Sequence, residues 1–192
     1  IPYRIYGGLR FYERLEIKNA IAYLKIIFNN KDNPSFERSI SNPTRGVGEK
    51  TLGKIRQAAK KFNISYIKAS AKLIDEGSIG GRGGAGLKDY LEFIIGCKQF
   101  IEDNTLSELM ELIIKESGLY AYHAKEAGEK GKTRTENLEE LITATKNFEQ
   151  SIKDEKTNEE IAESYLDVIS LDSGDRQASE HDDAAQLMTM HS

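Results

Sequence analysis

The sequence predicts a mainly α fold, a run of roughly six to eight helices with one short strand at each end. Apolar residues recur at helical spacing through most of the chain, as in Ile17, Ile21, Leu24 and Phe28. Clusters of Gly, Pro, Asn and Asp punctuate these stretches. Strand-like patterning is confined to residues 3–6 and 184–190, one near each terminus. A helical domain inserted into an α/β neighbour has this layout.

In chain order, residues 3–6 read as a strand ended by Gly7-Gly8, and residues 11–28 as a helix. The run Asn29-Asn30-Lys31-Asp32-Asn33-Pro34 stops that helix, because Asn and Asp favour turns and the residue before proline avoids helical geometry. A subdomain boundary is expected there. A helix over 35–41 follows, then a compact turn, Asn42-Pro43-Thr44-Arg45-Gly46-Val47-Gly48. The next helix, 49–62, carries Leu52, Ile55, Ala59 and Phe62 as its apolar stripe. Residues 65–75 predict another helix, stopped by Gly77. The glycine-rich stretch 80–86 predicts a loop or a frayed helix start, since glycine disfavours regular helix. Helical patterns resume over 87–101 and 105–117, with Gly118 as a C-terminal cap. A short helix at 120–125 and a polar loop at 128–131 come next. Thr133 and Glu136 then form a capping-box pattern that opens a helix through Phe148, with Leu138, Leu141, Ile142 and Thr145 on one side. A helix near 159–171 closes the set; 173–183 is polar and predicts disorder, and 184–190 a buried strand.

Composition narrows the function. One cysteine, Cys97, rules out an internal disulfide, and no apolar run nears the roughly 20 residues that cross a bilayer. A cytoplasmic protein without a membrane partner is expected. The net charge of -4 argues against a surface that grips nucleic acid everywhere. Residues 34–62 are nonetheless basic, with Arg38, Arg45, Lys50, Lys54, Arg56, Lys60 and Lys61 against Glu37 and Glu49, whereas 153–183 is strongly acidic. Such a chain can turn one face to phosphate and keep the other solvated. It starts at Ile1 without an initiator Met and stops at Ser192 inside an apolar stretch, so a piece of a longer protein is expected.

The sharpest motif is Gly46-Val47-Gly48 ahead of the 49–62 helix, a spacing that matches a helix-hairpin-helix turn. Glycines let the chain reverse and leave room for a phosphate, and the following helix N-terminus supplies N–H donors. Val47 would plug into the core while Arg45 and Lys50 add charge-assisted contacts. Two readings stand, a phosphate-binding turn and a glycine-capped helix–helix turn without a ligand. The 80–86 cluster lacks the Gly-Lys-Ser/Thr end of a phosphate loop and reads as linker or helix entry. His123, His181 and His191 are scattered, so no metal site is expected. Glu139 and Glu140 read as helix surface rather than acid/base groups, and Tyr3, Tyr6, Phe11 and Tyr12 as core rather than base-stacking platforms. No catalytic residue set emerges, and no enzyme activity is expected of this chain alone.

Four segments in order resemble superfamily 1A helicases of the UvrD/Rep/PcrA group: Tyr6-Gly7-Gly8-Leu9-Arg10-Phe11-Tyr12-Glu13-Arg14-Leu15-Glu16-Ile17-Lys18, Pro43-Thr44-Arg45-Gly46-Val47-Gly48, Thr133-Arg134-Thr135-Glu136-Asn137-Leu138-Glu139-Glu140-Leu141, and Gln186-Leu187-Met188-Thr189-Met190-His191-Ser192. The segment from Pro43 to Gly48 is similar to the glycine motif of the family's 2B subdomain, and the segment from Gln186 to Ser192 to the opening of helicase motif V. The resemblance implies that 34–182 is a helical 2B subdomain and that 1–33 and 183–192 are flanks from the RecA-like motor domain 2A. It implies a parent that hydrolyses ATP with magnesium, moves 3′ to 5′, and acts on duplex and single-strand junctions in DNA repair. The parent's motor domains are implied partners, and the chain itself needs no cofactor. Implied DNA-binding residues are Arg45, Gly46, Val47, Gly48 and Lys50, with Thr189 and His191 near the single-strand track and Asn29 at a place that resembles another DNA-contacting position. The competing reading is a docking or autoinhibitory module of the same helicase with a purely structural glycine turn.

Overall fold

Residues 11–152 and 156–172 are described by a computed structural model. A 3-10 turn at Phe11–Glu13 leads into α1 (Leu15–Phe28), followed by α2 (Asn33–Ser41), α3 (Glu49–Phe62), α4 (Tyr66–Asp75) and α5 (Gly81–Asp103). The chain continues through α6 (Leu106–Glu116), α7 (Leu119–Ala124), α8 (Glu129–Ser151) and α9 (Asn158–Asp172). Mainly α is therefore right, but the expectation of short flanking strands is corrected, because the described residues contain helices and no strand or sheet. A strand needs a ladder to pair its N–H and C=O groups, and the helical surface described here has no sheet edge to offer one. Residues 3–6 and 184–190, where the pattern predicts strands, lie outside the described residues, as does 173–183.

The chain is organised around α1. Ile17, Ala20, Ile21, Ala22, Tyr23, Leu24, Ile26 and Ile27 are all buried, so this helix is apolar around most of its circumference. A helix of that kind belongs in a core. It packs against α2, α5, α6, α8 and α9. A second group of contacts joins α3 to α4 and α4 to α5, and a third joins α6, α7 and α8.

Caps set several boundaries. The Asp32 carboxylate accepts from the Ser35 amide at 2.9 Å, and Pro34 occupies the first turn of α2, where its missing N–H costs nothing. Thr105 and Glu108 form a reciprocal capping box at α6. The box expected at Thr133 and Glu136 is corrected: α8 begins a turn earlier, at Glu129, and Thr133 lies inside it. The cause is tertiary. A Cβ on Gly131 would sit 2.4 Å from the Glu126 carbonyl oxygen and 2.8 Å from that of His123, so the first turn of α8 rests directly on the chain leaving α7. No helix among the described residues is long and apolar enough to cross a membrane.

Candidate nucleic-acid interface

The turn between α2 and α3 is seated from three sides. Gly46 adopts φ +75, a left-handed conformation that side chains resist, and Gly48 at φ -94 is the N-cap of α3 without any side-chain cap. Val47 points inward and is buried. Gly46, Gly48 and Lys50 are exposed. The Asn42–Pro43 peptide is cis.

The Arg45 guanidinium faces the protein. It donates to the carbonyls of Ser39 (3.2 Å), Pro43 (2.9 Å) and, from the α6–α7 junction, Ser117 (2.8 Å). It also lies over the rings of Tyr23 and Tyr90, 5.6 and 5.5 Å from their centroids. Tyr23 in turn donates to the Ser39 and Asn42 carbonyls, and the Tyr90 hydroxyl bonds that of Ser39 at 2.7 Å. Burial pushes both phenols well above the ordinary tyrosine range, so they remain neutral donors. Arg45 thus ties the base of the turn to α1, α5 and α6. Arg45→Ala is expected to cost about 2–3 kcal/mol in a denaturant melt, since it strips three carbonyls of a charged donor. Arg45→Lys should restore only part, because an ammonium lacks the planar fork.

The glycine-rich stretch supplies the third seat. Of the two readings of this stretch, loop or helix start, the second holds: residues 81–86 are helical and form the start of α5. A Cβ on Gly86 would lie 2.0 Å from the Arg45 carbonyl oxygen, and one on Gly83 3.1 Å from that of Gly46. These two glycines, three apart on one helical face, let the backbone of the turn lie on the backbone of α5. With that face covered, the stretch is a packing surface for the turn and not a free loop.

Charge around the turn is uneven. Arg56 on α3 donates to both oxygens of Glu37 on α2 at 2.7 Å and also pairs with Glu49, clamping the two helices. Those bonds hold the Glu37 carboxyl below its usual range. The one guanidinium is shared by Glu37 and Glu49 and so neutralises only one of the two carboxylates, while Lys50 makes no ion pair among the described residues. Arg82, in the first turn of α5, is exposed and passes beside Gly46, with its Cγ 2.9 Å from where a Cβ there would stand. Lys54 donates to the Ser78 carbonyl at 2.7 Å. The result is an uncapped helix N-terminus beside Lys50 and Arg82.

Of the other residues singled out, Asn29 is exposed at the C-cap of α1, and its side-chain oxygen accepts from the Lys31 amide rather than joining the turn. Thr189 and His191 lie outside the described residues. Arg82, Gly83 and Gly86 escaped sequence reasoning, although the spacing of Gly80, Gly83 and Gly86 by threes was a readable sign of a glycine face. Elsewhere, burial pushes the Cys97 thiol up to about 12, which keeps it protonated and inert. His123 is buried with Nδ1 2.6 Å from Glu126, within a polar chain that continues through Arg134 and Glu16 to Asn137. This chain ties α7, α8 and α1 together.

Residues 1–77 match the UvrD-like helicase C-terminal domain family. Over all 192 residues the chain is 42% identical to DNA helicase II of Escherichia coli, covering 26% of that protein. It is 33% identical over the same span to the ATP-dependent DNA helicase PcrA of Leuconostoc citreum, again 26% of its length. Against DNA helicase II of Rickettsia typhi the identity is 36% over 149 residues, 77% of this chain and 22% of the relative. The chain therefore spans about a quarter of the length of the curated relatives that it matches in full.

Proposed function

This chain belongs to the UvrD-like DNA helicases, and from that premise we propose that it acts as the accessory 2B module of an ATP-dependent 3′ to 5′ helicase, gripping the duplex backbone near a junction. On this reading residues 34–182 form 2B, 1–33 and 183–192 come from motor domain 2A, and α1 is a flank helix seated in the 2B core. Nucleotide, magnesium and unwinding belong to the motor domains of the longer protein.

The observation that carries the proposal is the exposed N-terminus of α3, which lacks a side-chain cap and stands beside Lys50 and Arg82, while Glu49 in its first turn is drawn towards Arg56. Orphan N–H groups with the helix dipole behind them favour an anion, and the Lys50 and Arg82 cations beside them add to the attraction. Contacts of this kind engage phosphate and not bases, so affinity follows DNA shape and salt rather than sequence. Arg45 serves as the anchor that holds the turn in place.

Fluorescence anisotropy of the chain with a short labelled duplex across a salt series tests this. Gly48→Ala is a clean probe, because nothing lies within 4 Å of the added methyl and φ -94 suits alanine. Combined with Lys50→Gln it should keep the melting profile and weaken duplex binding about tenfold, the loss of roughly one charge-assisted contact. Unchanged affinity in the folded variant would overturn the turn as a phosphate site and favour the docking-module reading.

A further inference from the structure

A second basic feature lies away from the turn. A cleft of about 220 Å³ opens between α1, α2 and α9. Lys18 and Lys25 enter it from one face of α1, Arg38 and Ser35 from α2, and Ile169 lines it from α9. Three cations converge there and no carboxylate is among the lining residues. Both lysines are half-buried and make no ion pair among the described residues, whereas Arg38 donates to Asn19 at 3.1 Å.

Three acids on α1, at the start of α2 and along it are engaged elsewhere. Glu16 on α1 is turned to Asn137 and Arg134, Glu37 on α2 is held by Arg56, and Asp32 caps α2 through the Ser35 amide and hydroxyl. Clustering like charges on a partly desolvated wall is unfavourable unless an anion occupies the space between them. A cleft of this size, with cations on two sides, suits a phosphate.

We propose that this cleft is a second oxyanion site that takes a backbone phosphate of the duplex, in addition to the one at the glycine turn; the proposal rests on the duplex-binding reading above. The two sites are linked by α2, which lines the cleft through Pro34, Ser35 and Arg38 and runs into the turn at its end. Engaging a backbone at two places would fix the orientation of the duplex as well as its position, which one contact cannot do.

The test is the salt dependence of duplex binding by the full chain. Lys18→Gln/Lys25→Gln, checked for an unchanged helical signal and melt, should make the slope of log affinity against log salt shallower by about 1.8, or about 0.9 per cation removed. The exposed Arg38→Gln provides the same measurement, with a change of about 0.9, if the double variant fails to fold. Lys50→Gln/Arg82→Gln reads the turn separately. Loss of slope only in the cleft variants supports the cleft and overturns the turn; loss only in the turn variant does the reverse. A wild-type slope in the folded cleft variants, or no salt-sensitive duplex binding by the unmodified chain, overturns the cleft as a phosphate site.

Discussion

A chain that begins at Pro34 is expected not to fold, even though the sequence pattern marks a boundary there. Deleting residues 1–33 removes α1, and with it Ile17, Ile21, Leu24, Ile26 and Ile27, each at most 5% exposed. Burying a side chain of this size is worth about 1.5–3 kcal/mol, so these five together supply roughly 7–15 kcal/mol. That equals the whole net stability of an ordinary domain, about 5–15 kcal/mol. Tyr23 would be lost as well, and with it the bonds to Ser39 and Asn42 that hold the start of the glycine turn. The shortened chain should show a weak helical signal and no cooperative melt, whereas Leu24→Ala in the full chain should fold with a loss of about 2–5 kcal/mol. A cooperative transition in the 34–192 piece would mean that α2 to α9 hold a sufficient core by themselves. A division at residue 33 would then describe how the chain threads between two domains, and not where an independent folding unit starts.

Local rules made much of this architecture legible. The α3 helix runs from Glu49 to Phe62 as its stripe of Leu52, Ile55 and Ala59 demands, and Gly118 takes the left-handed conformation that ends a helix. Both signals are contained within a few residues. Boundaries were less legible where backbone packing decides the outcome. Propensity left residues 80–86 open between a loop and a frayed helix start, and what seats them as helix is the carbonyls of Arg45 and Gly46, about 40 residues away; a Thr-x-x-Glu pattern put the start of α8 at Thr133, whereas Gly131 packs on the carbonyls of Glu126 and His123 just before it. The site divides the same way. The exposed Gly48 and Lys50 follow from the motif, but the inward aim of Arg45 depends on Tyr23, Tyr90 and Ser117, up to 72 residues away. A basic run in sequence therefore overstates the charge available to a ligand, because Arg45 and Arg56 are both bound within the protein.

Two glycine-to-alanine changes on α5 should move stability in opposite directions. In a helix interior alanine is favoured over glycine by about 1 kcal/mol, and Gly96 has open space where its Cβ would go. Gly96→Ala should therefore stabilise by about that amount. At Gly86 the same methyl would stand 2.0 Å from the Arg45 carbonyl oxygen and 3.1 Å from its Cβ. The obstacle is backbone that cannot rotate away, so either α5 or the turn must move, at a cost of about 3 kcal/mol or more. The shift would also carry Arg45 off the Ser117 carbonyl and the two tyrosine rings, which are held by the same few ångströms of registry. Gly86→Ala should thus lower the denaturation midpoint and, where the chain is still folded, weaken duplex binding without removing a single exposed charge. Paired melts of the two variants check the sign. If both were stabilised alike, the turn would not rest on α5, and the glycine face would have no part in presenting Gly48 and Lys50 to a phosphate.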